Sequence, residues 1–322
     1  MKNPEMSVII CSYNRAVYLK ICLEAFFCQP SEALNKVEII VVDNNSDDNT
    51  KEIVSLFSKL APNIHYVCEP LQGLSNARNR GLKEAKALWV AYVDDDGEVF
   101  PNFIECALKV IHEGKYDAFG GVYLPKFSPG KPGWYRDEFA SNIKLSYTEC
   151  NIPYKNQWFS GGICVFKKSA LEAVRGFSSV LGMTGKRLAY GEETLVQVRM
   201  EKAGFKLGFI PSIKMFHWVL PMKYTLRYFF KKSFGTGRDS WQSMGQQASL
   251  GEIFLIYGST CKRILIALCR LVISWRPSAD WRPTACVAEL LSALGNALGC
   301  SYGYWIDVKF RCNFFAAASI FF

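Results

Sequence analysis

What most constrains the fold of this chain is a strict alternation of short apolar runs and helical patterns through its first third. Residues 7–11 form an apolar run ending in SYNR, and Val17, Leu19, Ile21, Leu23, Phe26 and Phe27 follow as a helical pattern. A β-branched run over 37–42 is bounded by DNNSDDNT, after which Ile53, Val54, Leu56, Phe57 and Leu60 mark a helix over 50–60. Residues 64–68 predict a third strand, GLSNARNRGLKEAKA a third helix, and LWVAYV a fourth strand that runs straight into Asp94, Asp95 and Asp96. Such alternation predicts an α/β fold with a parallel sheet covered by helices on both faces. Ligands of such sheets bind beyond the carboxyl ends of the strands.

The residues at those ends are polar. Strand one ends at Ser12-Tyr13-Asn14-Arg15, strand two at Asp43-Asn44-Asn45-Ser46, and strand four at the three aspartates. A dinucleotide fingerprint needs Gly-x-Gly-x-x-Gly in the first turn, and SYNRAV contains no glycine; a P-loop is absent too. Three consecutive aspartates closing a buried strand repel one another and resist desolvation, so they call for a cation. If strand geometry persists, Asp94 and Asp96 point to one face, where hard oxygen ligands suit Mg²⁺ or Mn²⁺.

Composition narrows the classes further. Half of the 322 residues are apolar, which excludes a disordered chain, and the net charge of +9 is spread along the sequence, as suits an anionic substrate or a membrane surface. The 12 cysteines include no Cys-x-x-Cys pair and there are only three histidines, so we expect reduced, mostly buried thiols rather than a zinc site. The opening MKNPEMSVII has no small-residue cleavage site, and we expect a cytosolic setting. No nucleic-acid-binding motif accompanies the basic residues, so nucleic acid is not an expected partner.

Taken in order, SVIICSYNR, EIIVVDNNSDDNT, GLSNARNRGL, WVAYVDDDGEVFPNF, FSGGICVFKKSAL and GEETLVQVRMEKAGFKLGFIP followed by MFH resemble the GT-A glycosyltransferases of family 2 over about residues 5–240. The resemblance implies a Rossmann-like nucleotide-sugar transferase domain that moves a sugar from a nucleotide-sugar donor with inversion at the anomeric carbon. It implies Mg²⁺ or Mn²⁺ on a DxD motif at Asp94 and Asp96, with His217 of KMFHWV approaching the metal or the diphosphate. Asp43 is implied near the base and ribose, and the donor set extends to Asn45, Arg15, Asp95 and Gly162, the last letting backbone approach the sugar. Tyr13 offers an aromatic face for the base. Asp43 also reads as a cap residue in a turn, and Tyr13 as a packed aromatic. Arg78 and Arg80 are two apart on the third helix and face different ways, so one of them, Arg78, is expected at the diphosphate.

Single displacement with inversion needs a carboxylate opposite the leaving group. Glu192 and Glu193 open a helical stretch and correspond to the family's Glu-Asp pair, with Glu193 in place of the aspartate base and Glu192 orienting the site or the acceptor. An ordinary acidic helix N-terminus is the plainer reading. Beyond His217, residues 222–241 interleave basic and aromatic side chains, and FGTGRDS resembles a flexible flap that closes over the diphosphate through Arg238. The tail holds an apolar stretch over 264–275, a turn-rich RPSADWRP break and a longer stretch in which Glu289 and Asn296 lie opposite Leu290, Leu291, Leu294 and Leu298. We expect helices lying in the cytoplasmic membrane interface, with a single span or a packed helical cap as alternatives.

The expected organisation is a nucleotide-sugar half over 1–120, an acceptor half over 121–245 and a membrane-associating tail over 246–322. The expected acceptor is a saccharide or a lipid-linked saccharide in cell-surface polysaccharide or glycolipid synthesis. A sugar-phosphate nucleotidylyltransferase would need a glycine-rich, lysine-bearing loop after strand one. A noncatalytic binding or scaffold protein would have no need of clustered carboxylates.

Overall fold

A computed structural model of the chain describes residues 3–142, 145–154, 157–185, 188–247, 249–273 and 283–318; residues 276–282 of the RPSADWRP break lie outside them. The chain forms two compact units. One comprises the chain up to Ser128 with Asp137–Gly185 and Glu192–Val219; the other comprises Pro129–Arg136, a short segment ending at Gly191, and the chain from Leu220 onward.

In the first unit, β1 (Met6–Ser12), β2 (Val37–Asp43), β3 (Ile64–Cys68) and β4 (Trp89–Asp94) pair in parallel in the order β3-β2-β1-β4. They are joined through α1 (Ala16–Phe27), α2 (Ser31–Leu34), α3 (Thr50–Leu60) and α4 (Leu74–Glu84). Alternate strand residues feed two cores, because successive side chains leave a strand on opposite faces. Val8, Ile10, Ile39, Val41, Ala91 and Val93 pack with α1, α3 and α5 (Phe103–Glu113). Ile9, Ile40, Val42, Val90 and Tyr92 pack with α4, α6 (Lys168–Ala173) and α7 (Glu192–Lys202). Cover on both faces explains why β1 and β2 read as continuous apolar runs. Close contact is enforced at Gly81 of α4, where a Cβ would sit 2.4 Å from Ile9 Cγ2.

The sheet is mixed rather than wholly parallel. Beyond β4 lie β8 (Ile163–Lys167), β6 (Ala118–Phe127) and β9 (Leu207–Val219), with β5 (Gly97–Val99) and β7 (Cys150–Ile152) both on β9. β8 runs antiparallel to β4 and β6, whereas β6 and β9 are parallel. The β4–β8 register brings Gly162, just before β8, opposite the end of β4, and the β5–β9 register sets His217 against Gly97. The later strands of this unit are thereby folded back onto the carboxyl edge of the parallel strands.

The second unit contains α8 (Leu226–Ser243), α9 (Leu250–Ile273) and α10 (Pro283–Ala318). Thr225 caps α8, its hydroxyl accepting from the Tyr228 amide at 3.2 Å. FGTGRDS is therefore helical, not a flap: Gly235 and Gly237 are buried turns of α8. The inward face of α10 is built from small residues. Ala293, Ala297 and Cys300 are buried, while Leu294 and Leu298 are 41% and 46% exposed and Glu289 pairs with Arg136 at 3.2 Å. Gly295, Gly299 and Gly303 recur every fourth residue, and a Cβ on Gly299 would lie 2.1 Å from the Phe234 carbonyl oxygen of α8. Helices this close can meet only through residues without side chains. Among the described residues, no helix is long and apolar enough to cross a membrane.

Gly299→Val should therefore lower the stability of the helical unit by about 1–3 kcal/mol or more, read as an earlier transition in thermal or denaturant unfolding. Leu298→Ala, at an exposed neighbour on the same helix, should change it by under about 0.5 kcal/mol.

Candidate active site

The three aspartates do not continue the strand. β4 ends at Asp94, and Asp95 and Asp96 form a turn into β5, so the expected alternation of faces does not apply and each carboxylate finds its own partners. Asp95 accepts from Ser12 Oγ at 2.8 Å and from Arg15 Nη1 at 3.0 Å. The same Arg15 nitrogen reaches Asp96 Oδ2 at 3.1 Å, and His217 Nε2 lies 3.5 Å from that oxygen. Asp94 keeps 37% of its side chain exposed, with Arg78 Nη2 3.7 Å from Oδ1. Desolvation raises the Asp95 carboxyl to about 6, against the opposing pull of Arg15. Asp94 is raised too, by desolvation and by Asp96, while Arg78, His217 and Arg15 oppose the shift.

The Arg15 guanidinium lies on Asp95 and Asp96, where it neutralises carboxylates that are only 6% and 3% exposed.

Arg78 is likewise turned inward. It is 3% exposed, donates from Nη1 to Glu192 Oε1 at 2.8 Å and from Nη2 to the Gly161 carbonyl at 3.1 Å, and stands over the rings of Tyr92 and Phe177. Arg80, two residues on, faces outward and pairs with Glu84 at 2.9 Å. The two arginines diverge as their spacing requires, but the inward one grips protein carboxylate and carbonyl groups.

Glu192 and Glu193 begin α7 and separate in environment. Glu192 is buried on Arg78, and desolvation, reinforced by Glu193 and opposed by Arg78, raises its carboxyl to about 8. Glu193 is half-buried, and its carboxylate makes no hydrogen bond or ion pair with the described residues; only its backbone carbonyl is engaged, by Gln197 Nε2 at 3.1 Å. Gln197, fully buried, also bonds both backbone groups of Phe159 at 3.0 and 2.9 Å, tying α7 to the segment before β8.

Between these groups runs the turn Gly161–Gly162. A Cβ on Gly161 would meet Arg78 Nη2 at 2.9 Å and Glu193 Cβ at 3.0 Å; one on Gly162 would meet Asp94 Oδ2 at 2.4 Å. Only glycines let this turn pass between Asp94 and the start of α7. The Gly162 carbonyl also accepts from the Asp94 amide at 3.0 Å. Trp158, just upstream, packs partly buried against the core.

At the end of β2, Asp43 is buried and accepts from Tyr66 Oη at 2.8 Å and from the Ser46 amide at 2.9 Å. Asn45 is exposed with φ of 64°, and Tyr13 is half-buried at the end of β1. The neighbouring Asn44 is the structural member of the pair: it donates to the carbonyls of Glu69 and Leu71 at 3.0 and 2.8 Å and accepts from the Gly73 amide at 2.7 Å. Asn14 accepts from the Asp47 amide at 2.7 Å, joining the loops after β1 and β2.

Sequence reasoning did not single out Tyr66, Asn44, Gln197 or Tyr123 of β6, whose ring lies 5.8 Å from His217 and whose hydroxyl is pushed up to about 12 by burial, with Glu193 and Asp94 adding to it. Tyr66, Gln197 and Tyr123 sit at ordinary strand or helix positions, whereas Asn44 stands among the polar residues that follow β2. Arg238 belongs to the other unit, where it pairs with Asp239 at 2.6 Å and donates to the Leu188 carbonyl at 2.9 Å.

Among the described residues no three His, Cys, Asp or Glu side chains form a ready-made cage. Asp94, whose carboxylate is part-exposed, is a hard oxygen group of the kind that Mg²⁺ takes together with water and substrate phosphates.

A family model described as "Glycosyl transferase family 2" matches residues 7–175. Among curated relatives, glycosyltransferase AglE of Haloferax volcanii is 28% identical over 237 residues, which are 66% of this chain and 77% of AglE. The GalNAc(5)-diNAcBac-PP-undecaprenol beta-1,3-glucosyltransferase of Campylobacter jejuni is 28% identical over 53% of this chain and 54% of its own length. The match to the uncharacterised glycosyltransferase YibD of Escherichia coli is 34% identical over 35% of this chain and spans 32% of that protein. A mannosyltransferase of Pyrobaculum calidifontis, solved with GDP-Man and Mn²⁺, superposes with a TM-score of 0.63 over 92% of this chain and 88% of its own, at 17% identity. That likeness shows a GT-A-like mixed α/β fold.

The Arg78–Glu192 pair yields a prediction independent of substrate. Arg78→Met strands a buried carboxyl group and should cost about 3–5 kcal/mol of stability. Arg78→Met with Glu192→Gln should recover a large part of that loss, a coupling measurable in a double-mutant cycle by denaturant unfolding.

Proposed function

The chain belongs to glycosyl transferase family 2, and from that premise we propose that it transfers a glycosyl group, with inversion, from a nucleotide-sugar donor to a saccharide or lipid-linked acceptor. One observation carries this reading. Exposed Asp94 and the unpartnered carboxylate of Glu193 flank a single Gly-Gly turn too tight for any side chain.

Each residue then has a task. Glu193 has the freedom to take the proton of an acceptor hydroxyl as that oxygen attacks the anomeric carbon. Glu192, immobilised by Arg78, holds the first turn of α7 in place and does not compete for the same proton. Asp94 and Asp96, with His217 beside Asp96, would hold Mg²⁺ or Mn²⁺, which when bound supplies positive charge to the departing diphosphate. Arg15 keeps Asp95 and Asp96 in fixed positions while removing their mutual repulsion. Asp43, fixed by Tyr66 and the Ser46 amide, stands at the strand end where the base and ribose are expected, with Tyr13 and Asn45 at the same edge.

The Mn²⁺ and GDP-Man of the Pyrobaculum fold relative support the donor and metal assignments. The undecaprenol-linked substrate named for the Campylobacter relative supports a lipid-linked acceptor in cell-surface polysaccharide or glycolipid synthesis. A lipid-linked acceptor in turn supports work at the cytoplasmic face of a membrane.

Glu193→Gln should leave nucleotide-sugar binding by calorimetry unchanged and lower turnover by about 10²-fold or more; near-normal turnover would remove Glu193 from the base role. Asp94→Asn should abolish the Mn²⁺ dependence of donor binding while leaving the circular dichroism spectrum intact. Unchanged metal dependence would take Asp94 out of the metal site.

A further inference from the structure

The helical unit is packed inside out. Gly295, Gly299 and Gly303 of α10 meet the backbone of α8, and Tyr302 packs on Phe234, while Leu294, Leu298, Trp305 and Ile306 of α10 are exposed. α9, whose inner face is built of larger residues, also leaves large apolar side chains outside. Its inner face, Ile253, Ile256, Thr260 and Ala267, falls at intervals of three, four and seven residues, with Ile253 and Ile256 against Trp241 and Cys300. Its opposite face carries Phe254, Leu255, Leu265 and Ile266, which are 75%, 74%, 62% and 44% exposed. Leu250 and Leu268 extend this strip at either end, so it runs about 28 Å at 1.5 Å per residue. Small residues inside and large apolar residues outside is the arrangement of helices whose outer solvent is hydrocarbon rather than water.

We infer that the outward face of α9 docks on an anionic lipid surface, with the helix lying along the membrane and not across it. Three features select this occupant. Lys262 and Arg263 are exposed within the apolar strip, and α9 carries three basic residues against one acidic residue, which suits anionic headgroups. Tyr257, Tyr302 and Trp305, all exposed, are the amphipathic aromatics that favour the headgroup boundary. No described helix can span a bilayer, so the strip is buried by lying in the interface. Large exposed apolar strips of this kind on a water-soluble surface mark a binding face. The inference deepens the reading of a lipid-linked acceptor and rests on it for its purpose. Its test reads binding without sugar transfer, so the two can fail separately.

The test is flotation of the full-length protein with vesicles of phosphatidylcholine alone and of phosphatidylcholine with phosphatidylglycerol. The wild type should float with the anionic vesicles and be released by high salt. Phe254→Glu with Leu265→Glu should reduce the bound fraction by about tenfold or more, since a charge in the apolar layer costs more than the 1.4 kcal/mol that a tenfold change represents. Lys262→Glu with Arg263→Glu should abolish the preference for anionic vesicles. Leu56→Glu, at an exposed site on α3 in the other unit, should float like the wild type. Because all these side chains are exposed, retained circular dichroism is expected throughout. Undiminished flotation of the Phe254→Glu/Leu265→Glu protein would overturn the inference. So would a wild-type protein that ignores vesicles and forms a dimer, by light scattering, that the same double variant splits; the strip would then belong to a second copy of the chain.

Discussion

Negative charge concentrated at one sheet edge is the constraint on which the rest of this structure depends. Asp94, Asp95, Asp96, Glu192 and Glu193 belong to a largely desolvated region, where unpaired carboxylates are costly. The fold answers with two internal cations. Arg15 from the loop after β1 bridges Asp95 and Asp96, and Arg78 from α4 engages Glu192 with Asp94 nearby. What remains outside those pairings is the exposed part of Asp94 and the carboxylate of Glu193. The two arginines select which acids are structural and which stay available for chemistry.

That division also explains why the chain has to double back. A parallel sheet alone brings the ends of β1, β2 and β4 together but supplies no group opposite them. β8, antiparallel to β4, delivers the Gly161–Gly162 turn to the end of β4, and α7 follows with its acidic first turn. β9 returns His217 to Asp96 from another direction. The buried hydrogen bonds of Gln197 to Phe159 and of Asn44 to three backbone groups fix the positions of these segments.

Much of this was legible in the sequence, for physical reasons. The parallel strands are covered on both faces, so they appear as uninterrupted apolar runs, and the limits read for α3 (50–60) and β3 (64–68) coincide with Thr50–Leu60 and Ile64–Cys68. The clustering of polar strand ends followed from the α/β pattern itself. The geometry of Asp94 and Asp96 was not legible, because the chain turns immediately after Asp94 and a period of two no longer applies. The partners of Arg78 and Arg15 were not legible either, since both guanidiniums bond groups far away in sequence. FGTGRDS reads as a loop from its glycines, yet those glycines serve close packing within the helical unit. In α10 the role of Gly295, Gly299 and Gly303 was not legible, because a glycine in a helical stretch carries no mark of the backbone it will pack against.

The central claim is that this edge of the sheet is a metal-dependent nucleotide-sugar site. Calorimetric titration of the purified protein with UDP, GDP, dTDP and CMP sugars, with and without Mn²⁺, tests it most directly. The account predicts that one nucleotide class binds, and that it does so only when Mn²⁺ is present. Failure of every donor to bind the folded protein, in solution and again in the presence of anionic lipid, would contradict it.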